Sequence, residues 1–289
     1  MGPTRFVAHF LPIATLTAAV PATARPGLNH IYLVLDQPTF DAMRADPVVS
    51  TLLGAPDAGL PDYAAPPVAT DRVFLRGRQS YLELFAPGNR FDEPVGKVGI
   101  AIGEDDGRRF DALTLRWQAY CPLRFSRATV AWTRRTPPVP WYDSIHCNDT
   151  ATRSDLALWA MVYRPDFVRW QQPDLTRPSV RRAAVLAPRR GRFDVSGIAL
   201  AVSPAQRDAI ARQLHAAGFR RHDAGAVTRL TGRDWTVTLH PGTGRIVLRA
   251  IDLRWTGRAT IDRVLGSARL TSDRPRHATL RFATARPGA

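Results

Sequence analysis

The stretch SYLELFAP, residues 80–87, alternates like a β-strand but carries a carboxylate at its centre. Side chains alternate between two faces along a strand, so the leucines share one face while Tyr81, Glu83 and Phe85 share the other. A buried carboxylate without a partner is costly in free energy. We therefore expect the second face either to contact water or to supply Glu83 with a partner.

The stretch HIYLVLD, residues 30–36, shows the same division into two faces. Its isoleucine and leucines form an apolar face that a helix can cover, whereas His30, Tyr32 and Asp36 lie on a polar and aromatic face. If the sheet curls, the mixed faces of both strands line one pocket, and His30 and Glu83 point into it. Aromatic walls with a few polar groups are typical of small-molecule sites.

These strands belong to a pattern that repeats along the chain: a strand, a helix, then two or three antiparallel strands. HIYLVLD aligns with GIALAVS (197–203), YLELFAPG (81–88) aligns with WTVTLHPG (235–242), and VGIAIGE (98–104) opens a unit between them. The similarity is one of pattern more than of identity. It predicts an α+β protein built from βαβββ modules.

Length and composition are those of a globular protein. The chain has 289 residues, 45% of them hydrophobic, which allows one large domain or two smaller ones. The formal charge of +15 comes almost entirely from arginine, since Lys97 is the only lysine. A codon bias explains such a skew as well as a nucleic-acid footprint does, and we predict no specific nucleic-acid partner.

The amino terminus has the pattern of a secretory signal. Residues 1–24 contain a basic start, a largely apolar run and the small-x-small pattern Ala22-Thr23-Ala24. The run is short for a membrane span, and no other stretch is long enough, so we predict no span in the mature protein. The alternative is an internal core helix. The pattern predicts a secreted or periplasmic protein.

Export gives the two cysteines a simple interpretation. In an oxidising compartment Cys121 and Cys147 are predicted to form one disulfide. His146, beside Cys147, raises a Cys/His nucleophile as the alternative, but that thiol would have to stay reduced outside the cytosol.

A change in composition marks the domain boundary. Residues 169–192 hold seven arginines, one acid and three prolines, with little periodicity. We predict paired modules over 25–175, a basic linker over 176–192 and a third βαβββ-like module over 193–289. An odd module would leave an open sheet edge, which suggests a homodimer.

A histidine on the first strand and a glutamate in a YLELF-like strand of paired βαβββ modules resemble the vicinal oxygen chelate superfamily. That superfamily includes glyoxalases, bleomycin-resistance proteins and extradiol dioxygenases. More narrowly, NHIYLVLD (29–36), RQSYLELFAP (78–87) and VGKVGIAIG (95–103) resemble an uncharacterised bacterial family of glyoxalase-like proteins. The resemblance covers residues 28 to about 175, and more loosely the region from 193. It implies curled, cup-shaped mixed sheets with helices on the outside.

The resemblance also implies a site. His30 and Glu83 match the first-module positions that hold a divalent metal, and Glu83 would alternatively act as a catalytic general base. The side chains expected to bind substrate are Tyr32, Arg76, Tyr81 and Phe85. Core packing is the alternative role for the tyrosines. Arg76 would either clamp a substrate carboxylate or pair with Glu83.

The second module departs from the superfamily pattern. Val98 stands where His30 stands, and LALWAMVY (156–163) has no carboxylate. Catalytic zinc sites typically use three protein ligands, so the metal would need one more. The residues considered as a third ligand are His146, Asp143 and Tyr163. Without a metal, His30 and Glu83 would form a hydrogen-bonded or ionic pair inside the cup.

Two hypotheses about function follow. The first is an exported glyoxalase-like enzyme, a metal-dependent lyase or isomerase or a dioxygenase-type enzyme. The alternative is a non-catalytic protein that sequesters a small molecule in the same cup without metal.

Overall fold

The structure is a computed structural model that describes residues 25–59, 63–147, 154–177, 179–189, 191–258 and 260–283. The predicted signal segment, 1–24, lies outside the described residues. Two large mixed sheets, of seven and eight strands, dominate the described part of the chain.

The strands of the first sheet are β1 (Gly27–Val34), β2 (Arg72–Arg76), β3 (Tyr81–Phe85), β4 (Val98–Gly103), β5 (Phe125–Trp132), β6 (Val139–Cys147) and β7 (Leu156–Tyr163). Their order across the sheet is β2-β3-β1-β4-β7-β6-β5. The helices of this half are α1 (Gln37–Ala45), α2 (Pro47–Leu52), α3 (Gly107–Tyr120) and α4 (Pro165–Gln171).

The first sheet consists of two modules with the same connections. β1 pairs in parallel with β3, β4 pairs in parallel with β7, and β1 and β4 run antiparallel at the centre. Where the second module has the full strand β5, the first has an isolated bridge between Asp57 and Phe74. The predicted α+β class with curled mixed sheets is confirmed.

The second sheet contains β8 (Phe193–Val202), β9 (Arg220–Ala224), β10 (Val227–Thr231), β11 (Thr236–Pro241), β12 (Val247–Trp255), β13 (Ile261–Leu265), β14 (Ala268–Arg274) and β15 (His277–Phe282), with α6 (Pro204–Ala216) after β8. β8 pairs in parallel with β11, as expected of a third module. β12 then lies antiparallel to β8, in the place that β4 holds beside β1.

The expectation of an open edge beside β8 is therefore wrong. β12 covers that edge, and β13 to β15 extend the sheet beyond it, in the order β13-β14-β15-β12-β8. The chain runs from β12 to β13 without a helix, so β12 and β15 pair antiparallel instead of parallel. The fourth unit is thus a module without its helix, and the homodimer stays a prediction.

Helices cover the apolar faces of both sheets because the sequence places its leucines and isoleucines there. Ile31 and Leu33 of β1 are buried on the same side as Phe110 and Trp117 of α3, in one core cluster. Asp36 caps α1 by accepting a hydrogen bond from the amide of Thr39. Ser203 caps α6 through a reciprocal capping box. The opposite face of the first sheet is left for the site.

Part of the predicted basic linker is packed into the fold. Arg182, in the short helix α5 (Arg182–Val185), is 1% exposed. Its Nε donates to Asp105 Oδ1 at 3.0 Å, and its Nη1 donates to the carbonyl of Leu28. This anchor lies between the ends of β1 and β4, so the segment leading to the second sheet is not a purely solvated connector.

The disulfide Cys121–Cys147 is present and joins the end of α3 to the end of β6. The two cysteines are 26 residues apart in sequence. The bridge removes both thiols, so the Cys/His nucleophile is excluded. Within the described part of the chain, none of the helices combines the length and the apolar character needed to cross a bilayer.

Candidate functional site

The concave face of the first sheet encloses a cavity of about 570 Å³, which we call the cup. Both modules contribute to it. Its principal lining side chains are His30, Tyr32, Tyr63, Arg72, Phe74, Arg76, Tyr81, Glu83, Phe85, Arg90, Phe91, Glu93, Trp132, Arg134, Trp141, Tyr142, Trp159, Met161, Tyr163, Val185 and Leu186. The site is therefore a mostly aromatic chamber with a few charged groups.

His30 and Glu83 lie together in the cup, as strand parity predicts. In the parallel pairing of β1 and β3, Tyr32 stands opposite Glu83 and His30 opposite Tyr81. His30 Nε2 is 3.8 Å from Glu83 Oε2. This distance is too long for a direct hydrogen bond. No ligand atom fits between the two atoms, but one that lies beside this gap in the cup can contact both.

The protonation of His30 follows from its neighbours. His30 Nδ1 is 2.9 Å from Asn29 Oδ1, and the hydroxyl of Tyr163 donates to the same oxygen at 3.4 Å. An amide oxygen only accepts hydrogen bonds, so Nδ1 carries the proton of the neutral ring. Burial, with the positive charge of Arg76, lowers the pKa of His30 from 6.5 to about 3. The Nε2 lone pair therefore faces Glu83, and the two groups do not form an ion pair.

Glu83 has a cationic partner that the sequence analysis did not single out. Arg72, at the start of β2, donates from Nη1 to Glu83 Oε1 at 3.2 Å. Burial raises the pKa of the Glu83 carboxyl, while Arg72 and Arg76 oppose that shift. The alternation in RVFLR (72–76) could have revealed Arg72, because it shares a face with Phe74 and Arg76.

Arg76 is paired with a different acid from the expected one. Its Nε and Nη2 donate to the two carboxylate oxygens of Asp57, at 3.1 and 3.2 Å. The guanidinium lies 4.2 Å from the ring centre of Phe74 and 4.6 Å from that of Tyr81. Arg76 lines the cup, but its carboxylate partner is Asp57, not Glu83.

The other residues predicted to bind substrate also line the cup. Tyr81 stacks on the His30 ring with centroids 4.5 Å apart. Tyr32 packs edge-on against Phe85 at 5.8 Å. The Tyr32 ring fits because β4 has Gly99 beside it, where a Cβ would lie 2.0 Å from a ring carbon. The position of these rings agrees with a role in binding, which stays a prediction.

The second module supplies an aromatic wall, of which the sequence pointed only to Tyr163, as a possible metal ligand. It consists of Trp132, Trp141, Tyr142, Trp159 and Tyr163, from β5, β6 and β7. The Trp159 ring lies 5.2 Å from that of His30 and 5.9 Å from that of Tyr32, so the two modules meet there. Alternation in LALWAMVY (156–163) places Trp159, Met161 and Tyr163 on one face, which is the available sequence signal.

The residues described here do not complete a metal site. No group of three His, Cys, Asp or Glu side chains comes together in the described ranges. Val98 belongs to the helix-facing core, and the residues of β4 opposite Tyr32 and His30 are Gly99 and Ala101. Neither has a side chain that can bind a metal. Arg72 also places a positive charge against Glu83.

The three residues considered as a third ligand are occupied or distant. Asp143 accepts from Arg164 Nη1 at 3.2 Å and from Thr129 Oγ1 at 2.7 Å. The Tyr163 hydroxyl donates to Asn29. His146 stands opposite Trp159 in the β6–β7 pairing but does not line the cup. The resemblance therefore still predicts a divalent metal, but the donor side chains among the described residues do not form a site that fits one.

Comparison with known proteins places the chain in a family. A model described as "Family of unknown function (DUF5829)" matches residues 28–281. No curated protein matches the chain. A hypothetical protein from Staphylococcus aureus is similar in structure, with a TM-score of 0.54 and 9% identity over 83% of this chain and 96% of the other. At that identity the likeness shows the fold alone.

Dioxygenases are among the more distant structural neighbours. A catechol 2,3-dioxygenase has a TM-score of 0.46 and 12% identity, covering 91% of each chain. A variant of homoprotocatechuate 2,3-dioxygenase from B. fuscum has a TM-score of 0.44 and 13% identity, covering 92% of this chain and 76% of the other. TM-scores below 0.5 at this identity do not show a shared activity.

Proposed function

The chain belongs to DUF5829, a family of unknown function, and we propose that it is an exported protein that binds a flat aromatic small molecule in the cup. The observation that carries the proposal is the pair of aromatic walls, one from each module. Tyr32, Tyr81 and Phe85 form one wall, and the tryptophans and tyrosines of β5 to β7 form the other. A flat ring between them gains both buried area and ring–ring contacts.

The charged groups of the cup favour a ligand with little net charge. Among the described residues that line it, most of the charges are already matched. The matched pairs are Arg72–Glu83, Arg76–Asp57, Arg90–Asp71 and Lys97–Glu93. A strongly charged ligand would have to break these pairs or leave a charge unmatched. Affinity would therefore come mainly from aromatic contact.

A second candidate function is metal-independent proton transfer, and the gap between His30 and Glu83 favours it. Glu83 is the better base of the two, because burial raises its pKa and lowers that of His30. The Nε2 lone pair of His30 would accept a hydrogen bond from a ligand hydroxyl or N–H. Glu83 would take the proton from the neighbouring ligand atom. Arg72 would hold the Glu83 carboxylate in position.

Export is part of the proposal. The amino-terminal pattern and the buried Cys121–Cys147 bridge support it, since disulfides persist in oxidising compartments. A soluble periplasmic or secreted binding protein, and an exported enzyme, would both use the cup in this form.

Titration of the mature chain, residues 25–289, with 2-naphthol and with its saturated analogue decahydro-2-naphthol tests the binding. The tryptophans of the cup report it by fluorescence. We expect the aromatic compound to bind at least about tenfold more tightly, a difference of about 1.4 kcal/mol. Trp159→Ala should weaken 2-naphthol binding by a similar factor. Leu123→Ala, at a position 98% exposed and outside the cup, should not.

Equal affinity for the two compounds would contradict the proposal, as would unchanged binding by Trp159→Ala. Turnover assays of each bound compound, with the wild type and with Glu83→Gln, separate the two candidate functions. If the chain is a binding protein, Glu83→Gln keeps its affinity and neither form turns the compound over. The enzyme predicts retained affinity with turnover reduced by about a hundredfold or more, as expected when a general base is removed.

A further inference from the structure

A second cleft, of about 440 Å³, lies where the two sheets meet and shares no lining residue with the cup. Its lining residues are Arg78, Arg254, Trp255, Thr256, Arg276 and His277. They come from the turn between β2 and β3, the end of β12 and the start of β15. We call this the arginine cleft. None of the described residues that line it is acidic.

The arginines keep several N–H groups free. Arg78 donates its Nε to Asp194 Oδ2 at 2.9 Å, which leaves its two Nη groups without a partner in the described part of the chain. Arg254 donates from Nη2 to the carbonyl of Asp234 at 2.9 Å. The guanidinium of Arg276 has neither a hydrogen bond nor an ion pair among the described residues. Within the described ranges, a carboxylate thus neutralises only one of the three positive charges.

The position of Arg78 is fixed before any ligand arrives. Asp194 Oδ1 accepts hydrogen bonds from the backbone amides of Arg78, Gln79 and Ser80, at 3.0, 2.6 and 3.3 Å. The turn of the first sheet is thereby tied to the first strand of the second sheet. A site made from both sheets is held in place by this contact.

Trp255 forms part of the wall of the cleft and is only 5% exposed. The arginine guanidinium groups beside it can only donate hydrogen bonds. Among the described residues, the lining is rich in donors and has no carboxylate, which makes it complementary to a ligand rich in acceptors.

The backbone of Arg276 is in a conformation that favours glycine. Its φ is 64°, in the left-handed region. The turn is fixed by hydrogen bonds from the Arg276 amide to the Gly257 carbonyl and from the Trp255 amide to the Arg276 carbonyl, both 3.1 Å. An arginine at such a position places an unpaired guanidinium at the cleft despite the backbone cost.

From these observations we propose that the arginine cleft binds a tetrahedral oxyanion of the phosphate or phosphate-ester class. Guanidinium groups match such oxyanions in geometry and charge, and donate paired hydrogen bonds to them. The same chemistry is offered by free phosphate compounds and by phospholipid headgroups. Because the cleft is built from both sheets, a bound oxyanion would also stabilise their junction.

Two substitutions in the mature chain test the proposal. Arg276→Gly removes the guanidinium and suits the positive φ, so it should not lower the melting temperature without ligand. Arg249→Gln is the control, because Arg249 is an exposed arginine of β12 that does not line the cleft. Inorganic phosphate is titrated against chloride at equal ionic strength, by calorimetry and by thermal unfolding.

We expect saturable phosphate binding with a raised melting temperature in the wild type and in Arg249→Gln. Arg276→Gly should bind at least tenfold more weakly. Flotation with phosphatidylcholine vesicles, with and without phosphatidylglycerol, distinguishes the sources. Loss of vesicle binding in Arg276→Gly alone would assign a lipid headgroup, and no vesicle binding would assign a free phosphate compound. The proposal is overturned if the wild type does not bind phosphate saturably, or if both variants bind it equally well.

Discussion

One amide oxygen, Asn29 Oδ1, decides which nitrogen of His30 holds the proton. It accepts from His30 Nδ1 and from the Tyr163 hydroxyl, and it leaves Nε2 as a lone pair inside the cup. Burial makes the protonated ring unfavourable. At the scale of the single residue, His30 is therefore an acceptor at neutral pH and not a cation.

This environment predicts a pH dependence of stability. The unfolded chain binds a proton at His30 below pH 6.5, whereas the folded chain does so only near pH 3. Between those values acidification favours unfolding, by about 1.4 kcal/mol per pH unit at most. The stabilising effect of the neutral ring is fully present above pH 6.5. Glu83 has a raised pKa and acts in the opposite direction as its carboxyl becomes protonated.

Chemical denaturation between pH 7 and pH 4.5 measures the effect. We expect His30→Gln to lose less stability on acidification than the wild type, because glutamine does not titrate. His222→Gln, at an exposed position of β9, is the control and should follow the wild type. An identical pH slope in His30→Gln and the wild type would show that the folded protein binds the His30 proton as readily as the unfolded chain.

At the scale of the element, the position of each side chain depends on strand register. Leu33 pairs with Leu84 in the first module and Leu200 pairs with Leu239 in the third. The counterpart of Glu83 is therefore Thr238, one residue away from the Val237 that sequence alignment suggests. Val237 is fully buried on the helix side of the sheet. A slip of one residue exchanges the two faces, which is why pattern alone misplaced it.

The packing of β1 against β4 predicts the effect of one substitution. Gly99→Ala would place a Cβ 2.0 Å from the Tyr32 ring, so the ring or the strand has to move. We expect a loss of about 1–3 kcal/mol in the free energy of unfolding, with weaker binding in the cup. Denaturant unfolding and the 2-naphthol titration measure both.

The matched control is Gly107→Ala at the start of α3, where a Cβ would meet nothing within 4 Å. Alanine restricts the unfolded chain more than glycine, so this variant should gain about 0.4–1 kcal/mol. If Gly99→Ala has the same free energy of unfolding as Gly107→Ala, the packing of the Tyr32 ring does not depend on the absence of a side chain at position 99.

At the scale of the whole molecule, the disulfide adds to the stability of the fold and supports the predicted export, since disulfides persist in oxidising compartments. It closes a loop between residues 26 positions apart, worth about 3.5 kcal/mol in the chain-entropy model. The double variant Cys121→Ala, Cys147→Ala should lose stability of that order. It should also accumulate poorly after secretion, since marginally stable exported chains are removed by proteolysis.

Intact-mass measurement of the wild type, expressed from residue 1, tests the predicted export. The expected product begins near Arg25 and gains the mass of two hydrogens on reduction. A full-length product recovered from the cytoplasm with two reactive thiols would contradict both the signal segment and the proposed location.

The sequence by itself determined the module pattern, the two faces of β1 and β3 and the pairing of the two cysteines. These depend on local alternation, on capping residues and on the presence of just two cysteines in the chain. The meeting of His30 and Glu83 also followed, because their strands belong to one module and their side chains alternate with a fixed period.

Only the tertiary structure decided what surrounds that pair. Arg72 of β2 donates a hydrogen bond to Glu83, and Arg76 donates to Asp57, which lies in an isolated bridge. Trp159 of the second module packs against the His30 ring. The arginine cleft joins residues of both sheets, Arg78 with Arg254 and Arg276. Such neighbours are separated in sequence and meet through the packing of sheets and turns. The alternation pattern of a single strand therefore does not identify them. The physical reason is that partner choice depends on three-dimensional distance, whereas alternation reports only the orientation of each side chain.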